Sequence, residues 1–179
     1  MNVSNKIGVR EQIKFVSLML QYPEEELKNS DWSLRDLNLF SAELAQSLNT
    51  FLRYFKQTPL PKLQENYVRT FDFNEHANLY LTYSKLGDEK ERGQALAELK
   101  QLYERSGLII DSKELPDYLP LVLEFIARAD SQTGLILMNR FRESVAQLQQ
   151  ALEQAESPYA GLIQGLLLIV DYTISKGVL

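Results

Sequence analysis

Glu114 and Asp117 stand three residues apart in the run ELPDYLPLVLEF at 114–125, where carboxylates, a tyrosine and two prolines come together. Two carboxylates at that spacing can share general acid–base work when their surroundings push their pKa values apart. Asp117 can equally serve as the N-cap of a helix over YLPLVLEF, accepting an orphan amide of its first turn. A second group of candidates is aromatic: Tyr67, Phe71, Phe73, Tyr80 and Tyr83. Such rings form core, but tyrosine hydroxyls need a partner or water and so favour clefts and interfaces.

Other chemistries are excluded by composition. The chain has no cysteine, which removes thiolate catalysis, disulfides and cysteine-based zinc sites. His76 is the sole histidine and Phe73 stands three before it, so neither a histidine pair nor Glu-x-x-His exists. Eight glycines never form the loops that cradle a nucleotide phosphate. With 24 acidic against 19 basic residues, a net charge of −5 and a pI near 5.0, the surface suits a basic peptide better than a nucleic acid. The opening MNVSNKIGVREQIKF lacks the apolar core of a secretory signal, so the expected location is the cytoplasm, without membrane insertion. The most apolar run, GLIQGLLLIV at 161–170, is far below the roughly 20 residues of a spanning helix and reads as a buried helix.

The elements that must position these groups read as helices. From Glu11 to Tyr22 the apolar residues are too dense for a narrow stripe, which suits a helix covered by its neighbours. Pro23 before EEEL suits a helical first turn. Leu34, Leu37, Leu44, Leu48, Phe51, Leu52 and Phe55 recur at three- and four-residue steps and predict one long amphipathic helix between Trp32 and Phe55, ended by TPLP. Leu63, Tyr67 and Phe71 share a face. Asp88 and Glu91 have capping-box spacing before a helix that Gly107 closes. Two further helices follow the proline-bracketed run, and Pro158 opens a last one. The expectation is an all-α, single globular bundle of seven to nine helices, one domain over residues 1–179.

Four stretches in this order, YVRTFDF (67–73), ANLYLTY (77–83), GDEKERGQAL (87–96) and ELPDYLPLVLEF (114–125), resemble the nitrate reductase molybdenum cofactor assembly chaperones, or delta subunits of respiratory nitrate reductase. These belong to the wider family of redox-enzyme maturation chaperones, and the resemblance runs from about residue 11 to 130. It implies a cytoplasmic chaperone, not an enzyme, without a cofactor of its own. Such a chaperone binds the apo catalytic (alpha) subunit of a membrane-bound nitrate reductase through its N-terminal peptide and supports molybdenum cofactor insertion. The molybdenum cofactor delivery machinery is a further implied partner, and the chain is expected as monomer or homodimer.

The wider family carries an acidic connector, Glu-Pro-x-Asp-His, beside a peptide pocket. Glu114 and Asp117 match its acids, while Leu115 replaces the proline and Tyr118 the histidine. Tyr67 and Phe71 match a tyrosine-to-aromatic element of the central helices. The implied client-peptide residues are therefore Tyr67, Phe71, Tyr80, Tyr83, Glu114, Asp117 and Tyr118, with both acids facing a groove and a partner helix laid on the aromatics. A helical adaptor without a redox-enzyme client, its aromatics in the core and its acids as caps, is the alternative, and a carboxylate- and metal-dependent enzyme a weaker third.

Overall fold

The computed structural model describes residues 3–34, 37, 39–83, 90–107 and 113–179, with side chains from residue 8 onward. Among the described residues the regular elements are eight helices: α1 (Val3–Met19), α2 (Glu25–Asn29), α3 (Ala42–Gln57), α4 (Leu60–Phe71), α5 (Lys90–Arg105), α6 (Leu119–Arg128), α7 (Ser131–Gln154) and α8 (Ala160–Lys176). The fold is all-α, as the periodicity requires.

The dense apolar pattern of α1 has the expected cause: Ile13, Val16 and Met19 are buried where α1 packs on α6 and α8. Leu44, Leu48, Phe51 and Phe55 bury the stripe of α3 against α8, each contributing about 2 kcal/mol of hydrophobic stabilisation before conformational entropy is counted. Gly165 makes that approach close, since a Cβ there would stand 2.5 Å from Leu48 Cδ2. Leu162, Leu166 and Ile169 make the run at 161–170 the buried helix its composition predicts.

Several boundaries differ from the sequence reading. The long helix expected from Trp32 starts at Ala42, because Ser41 caps it by accepting the Leu44 amide at 3.1 Å. Leu34 and Leu37 precede it and pack against the core from outside the helix. Pro23 and Pro158 each lie just outside the helix they were expected to open. Gly107 takes the left-handed φ of 75° expected of a C-terminal cap, whereas Asp88 lies outside the described residues. Asp117 is not the cap of α6: Tyr118 occupies that position and no side chain caps the amides.

Candidate functional site

The connector that precedes α6 is shaped by its prolines. Tyr118 N–H donates to the Leu115 carbonyl at 3.0 Å, a four-residue turn with Pro116 at its second position, where a fixed φ favours the geometry. Pro120 sits in the first turn of α6, where a missing N–H is harmless, and its carbonyl accepts from Ser17 of α1 at 2.8 Å.

The turn is bound to residues 79–82 by a short extended pairing. Tyr80 and Tyr118 form an isolated antiparallel bridge, with Leu81 N–H donating to the Asp117 carbonyl at 3.1 Å and Leu119 N–H to the Leu79 carbonyl at 2.8 Å. Asp117 locks the pairing from inside. Its side chain is wholly buried, and Oδ2 accepts from the Thr82 amide at 3.0 Å and the Thr82 hydroxyl at 2.6 Å. Arg92 of α5 supplies the compensating charge, with Nη2 3.8 Å from the same oxygen and Nε donating to Thr82 Oγ1 at 3.2 Å. The Arg92 guanidinium also lies 5.3 Å above the Tyr83 ring. Tyr103 of α5 completes the lock by donating to the Pro116 carbonyl at 2.8 Å.

The outer face of the connector is different. Glu114 is exposed, and its Oε2 accepts from the Tyr80 hydroxyl at 2.6 Å. Burial, together with the Glu114 carboxylate it binds, pushes the Tyr80 phenol upward and keeps it protonated. Tyr118 is half-buried, its ring 5.6 Å from that of Tyr80 and its hydroxyl 3.0 Å from that of Tyr67. Tyr67 donates to the Leu20 carbonyl at 3.0 Å, so Tyr118 is the donor in the hydroxyl pair.

Two clefts flank the connector. One, of about 490 Å³, is lined by Phe71, Asp72, Glu75, Tyr80, Tyr83 and Leu115. Burial and the nearby Glu114 charge push the Asp72 carboxyl above the usual carboxylate range. Phe73 next to Asp72 is 82% exposed, and Leu115 is 41% exposed. The other, of about 540 Å³, lies at the end of α1 and along α2, with Leu18, Tyr22, Trp32, Glu114 and Tyr118 in its walls.

The sequence-predicted residues thus converge on one region but play unequal parts. Tyr80, Tyr83 and Phe71 reach the first cleft, Glu114 and Tyr118 the second, and Tyr67 supports Tyr118 from the core. Phe71 and Tyr67 are 4% and 5% exposed, so both are chiefly packing residues. The expectation that both acids face a groove is corrected for Asp117, which is turned inward to hold Thr82. Thr82, Arg92 and Tyr103 were missed, because their pairing with residues 116 and 117 is a tertiary fact without local periodicity. Trp32 and Leu18 were read as parts of helices rather than as cleft walls. His76 is exposed, and among the described residues no group of histidines and carboxylates is arranged to hold a metal ion.

This all-helical bundle has a solved counterpart at low sequence identity. A crystal structure from Archaeoglobus fulgidus described as a redox enzyme maturation protein superposes with a TM-score of 0.67, covering 90% of this chain and 93% of that one at 24% identity. A sequence model of the nitrate reductase delta subunit matches residues 37–164, and the chain belongs to that family. The match continues well past residue 130, where the motifs of the sequence reading stop. The chain is 37% identical over 164 residues to a Bacillus subtilis protein named as a probable nitrate reductase molybdenum cofactor assembly chaperone NarJ, covering 89% of each. It is 31% identical over 169 residues to the Escherichia coli chaperone NarJ, covering 92% of this chain and 72% of that protein.

Proposed function

We propose that this protein is a dedicated assembly chaperone for a membrane-bound respiratory nitrate reductase. It binds the apo catalytic subunit in the cytoplasm, through that subunit's N-terminal peptide, and supports molybdenum cofactor insertion without chemistry of its own. Family membership and the names of the relatives support the chaperone role. The observation that carries the peptide reading is the outer face of the connector, where Glu114 and the Tyr80 hydroxyl stand beside a cleft of mixed polarity holding Leu115 and Tyr83 together with Asp72, Glu75 and Arg92. Among the described residues no helix is long and apolar enough to cross a membrane.

In this reading an amphipathic client helix lays its apolar side on Tyr80, Tyr83, Tyr118 and Leu115 while its basic end meets Glu114 and Asp72. Charge steers and sets register, and burial supplies most of the affinity. Asp117, Tyr67 and Phe71 act from beneath, fixing the surface the client meets. The whole chain works as one domain, as monomer or homodimer, and hands the client on to the molybdenum cofactor delivery machinery.

Titration calorimetry of the full chain with the N-terminal peptide of the co-expressed catalytic subunit, at two salt concentrations, tests this. Binding at about micromolar or tighter, weakening with salt, is expected. Absence of heat at either salt, with the intact apo subunit still captured, would move the client contact elsewhere; failure to capture the subunit at all would leave a helical adaptor.

A further inference from the structure

Helix α5 is attached to the molecule differently from its neighbours. The helices α1, α3, α6, α7 and α8 pack against one another and form the body of the bundle. α5 buries only Ala95, Leu99 and Tyr103 of its 16 residues, whereas α6, with 10 residues, buries most of its length. Hydrophobic burial therefore holds α5 weakly.

The polar ties of α5 converge on the connector and its paired segment. In its first turn Arg92 donates to Thr82 Oγ1 at 3.2 Å and stands 3.8 Å from Asp117 Oδ2. In its last turn Tyr103 donates to the Pro116 carbonyl at 2.8 Å, with its ring 4.4 Å from that of Phe125. The two residues lie roughly 16 Å apart along the helix, so α5 is fastened across the connector at both ends. Its tie to α7, Arg140 with Glu98 at 3.3 Å, is an exposed pair that contributes little.

The fastening is incomplete at one point. Asp117 is wholly buried, yet its Oδ1 has no hydrogen-bond partner among the described residues, while Oδ2 takes both Thr82 donors. A buried carboxylate oxygen without a donor raises the free energy of the closed arrangement, and opening to water relieves it. Sparse apolar burial and an unsatisfied acceptor together place α5 among the segments that open without global unfolding.

We infer that α5 is a strap that opens with the connector as one unit while the body of the bundle stays folded, and that the strapped state is the one that presents the client surface. The client-presenting role rests on client docking at the connector, because Thr82, Pro116 and Asp117, to which α5 is fastened, shape the turn that carries Glu114 and meets Tyr80. A client that binds only the strapped state holds α5 closed by mass action. Tyr103 is then a positioning residue, acting on the client surface through the connector.

The chain has no cysteine, so a single introduced thiol reports opening without background. Ala95→Cys places one on the buried face of α5 and Ser144→Cys one in the body, at positions 8% and 5% exposed. Each full-length variant is reacted with dithiobis(nitrobenzoate) in the absence of denaturant. Ala95→Cys should label about a hundredfold faster than Ser144→Cys. Adding Tyr103→Phe should raise the Ala95→Cys rate about fivefold. The N-terminal peptide of the catalytic subunit, at about ten times its dissociation constant, should slow that labelling about tenfold. Amide exchange of the unaltered chain gives an independent measure, with α5 between residues 95 and 103 less protected than α8. Equal amide protection of α5 and α8, equal labelling of the two thiols, or no effect of Tyr103→Phe would each overturn the strap. Peptide heat in the calorimeter with undiminished Ala95→Cys labelling would overturn its link to the client. Fast Ala95→Cys labelling, raised by Tyr103→Phe, without peptide heat keeps the strap and removes the peptide reading.

Discussion

Glu114 and Asp117 belong to the same turn, three residues apart, and have opposite surroundings. Asp117 is wholly buried, with Oδ2 held by Thr82 and faced by Arg92 while Oδ1 has no hydrogen-bond partner among the described residues, whereas Glu114 is exposed, binds Tyr80 and lines one of the two clefts. The pair teaches that an acid-rich motif can divide its labour. One carboxylate fixes the backbone that displays the other, and the proline turn keeps them on opposite faces.

The sharpest way to break that comparison is to remove the inner acid. Asp117→Ala leaves the Thr82 amide and hydroxyl and the Arg92 charge without their buried partner, and should cost about 3 kcal/mol of stability in urea denaturation. An unchanged midpoint would contradict its structural role. Glu114→Ala should do the reverse, shifting stability by less than about 0.5 kcal/mol while weakening client-peptide binding roughly fivefold at low salt, as calorimetry can measure. Tyr103→Phe removes one hydrogen bond to the turn, at Pro116, and should cost about 1 kcal/mol by thermal melting. Tyr159, which packs on Tyr67 and Phe71 beneath the connector, provides a contrast: its hydroxyl is buried without a hydrogen-bond partner among the described residues. Tyr159→Phe should therefore be neutral or stabilising by up to about 1 kcal/mol in the same melt.

The smallest expected effect concerns pH. Asp72 has a raised carboxyl pKa in the folded state, first through burial and then through Glu114. The folded protein therefore holds that proton more tightly than the unfolded chain, so the charged carboxylate weakens the fold at neutral pH. That cost is relieved as pH falls through the folded value towards the ordinary carboxylate range. Asp72→Asn should be slightly more stable than the parent at neutral pH, with the difference vanishing on acidification; urea midpoints at both pH values check this.

Much of this was legible in the sequence. Three- and four-residue periodicity marks α3 and α4 because their apolar stripes face one core, and the prolines at 116 and 120 mark the turn because they restrict backbone geometry. The orientation of Asp117 was not legible. A carboxylate before a helix has the same local signature whether it caps that helix or reaches across to Thr82, and only the packing of α5 decides between them. The start of α3 was overrun for a related reason, since Leu34 and Leu37 pack on the core at helical spacing without being helical in α3. Leu18 shows the converse: it belongs to the dense apolar run of α1 and yet is 37% exposed on a cleft wall.

Amide hydrogen exchange of the full chain, free and bound to the N-terminal peptide of the nitrate reductase catalytic subunit, tests the central claim most directly. New protection should concentrate at residues 79–83 and 113–119, where the connector meets its partner segment, with the exposed start of α2 protected to a lesser degree. Protection confined to α7 and α8, with those segments exchanging as in the free protein, would contradict it.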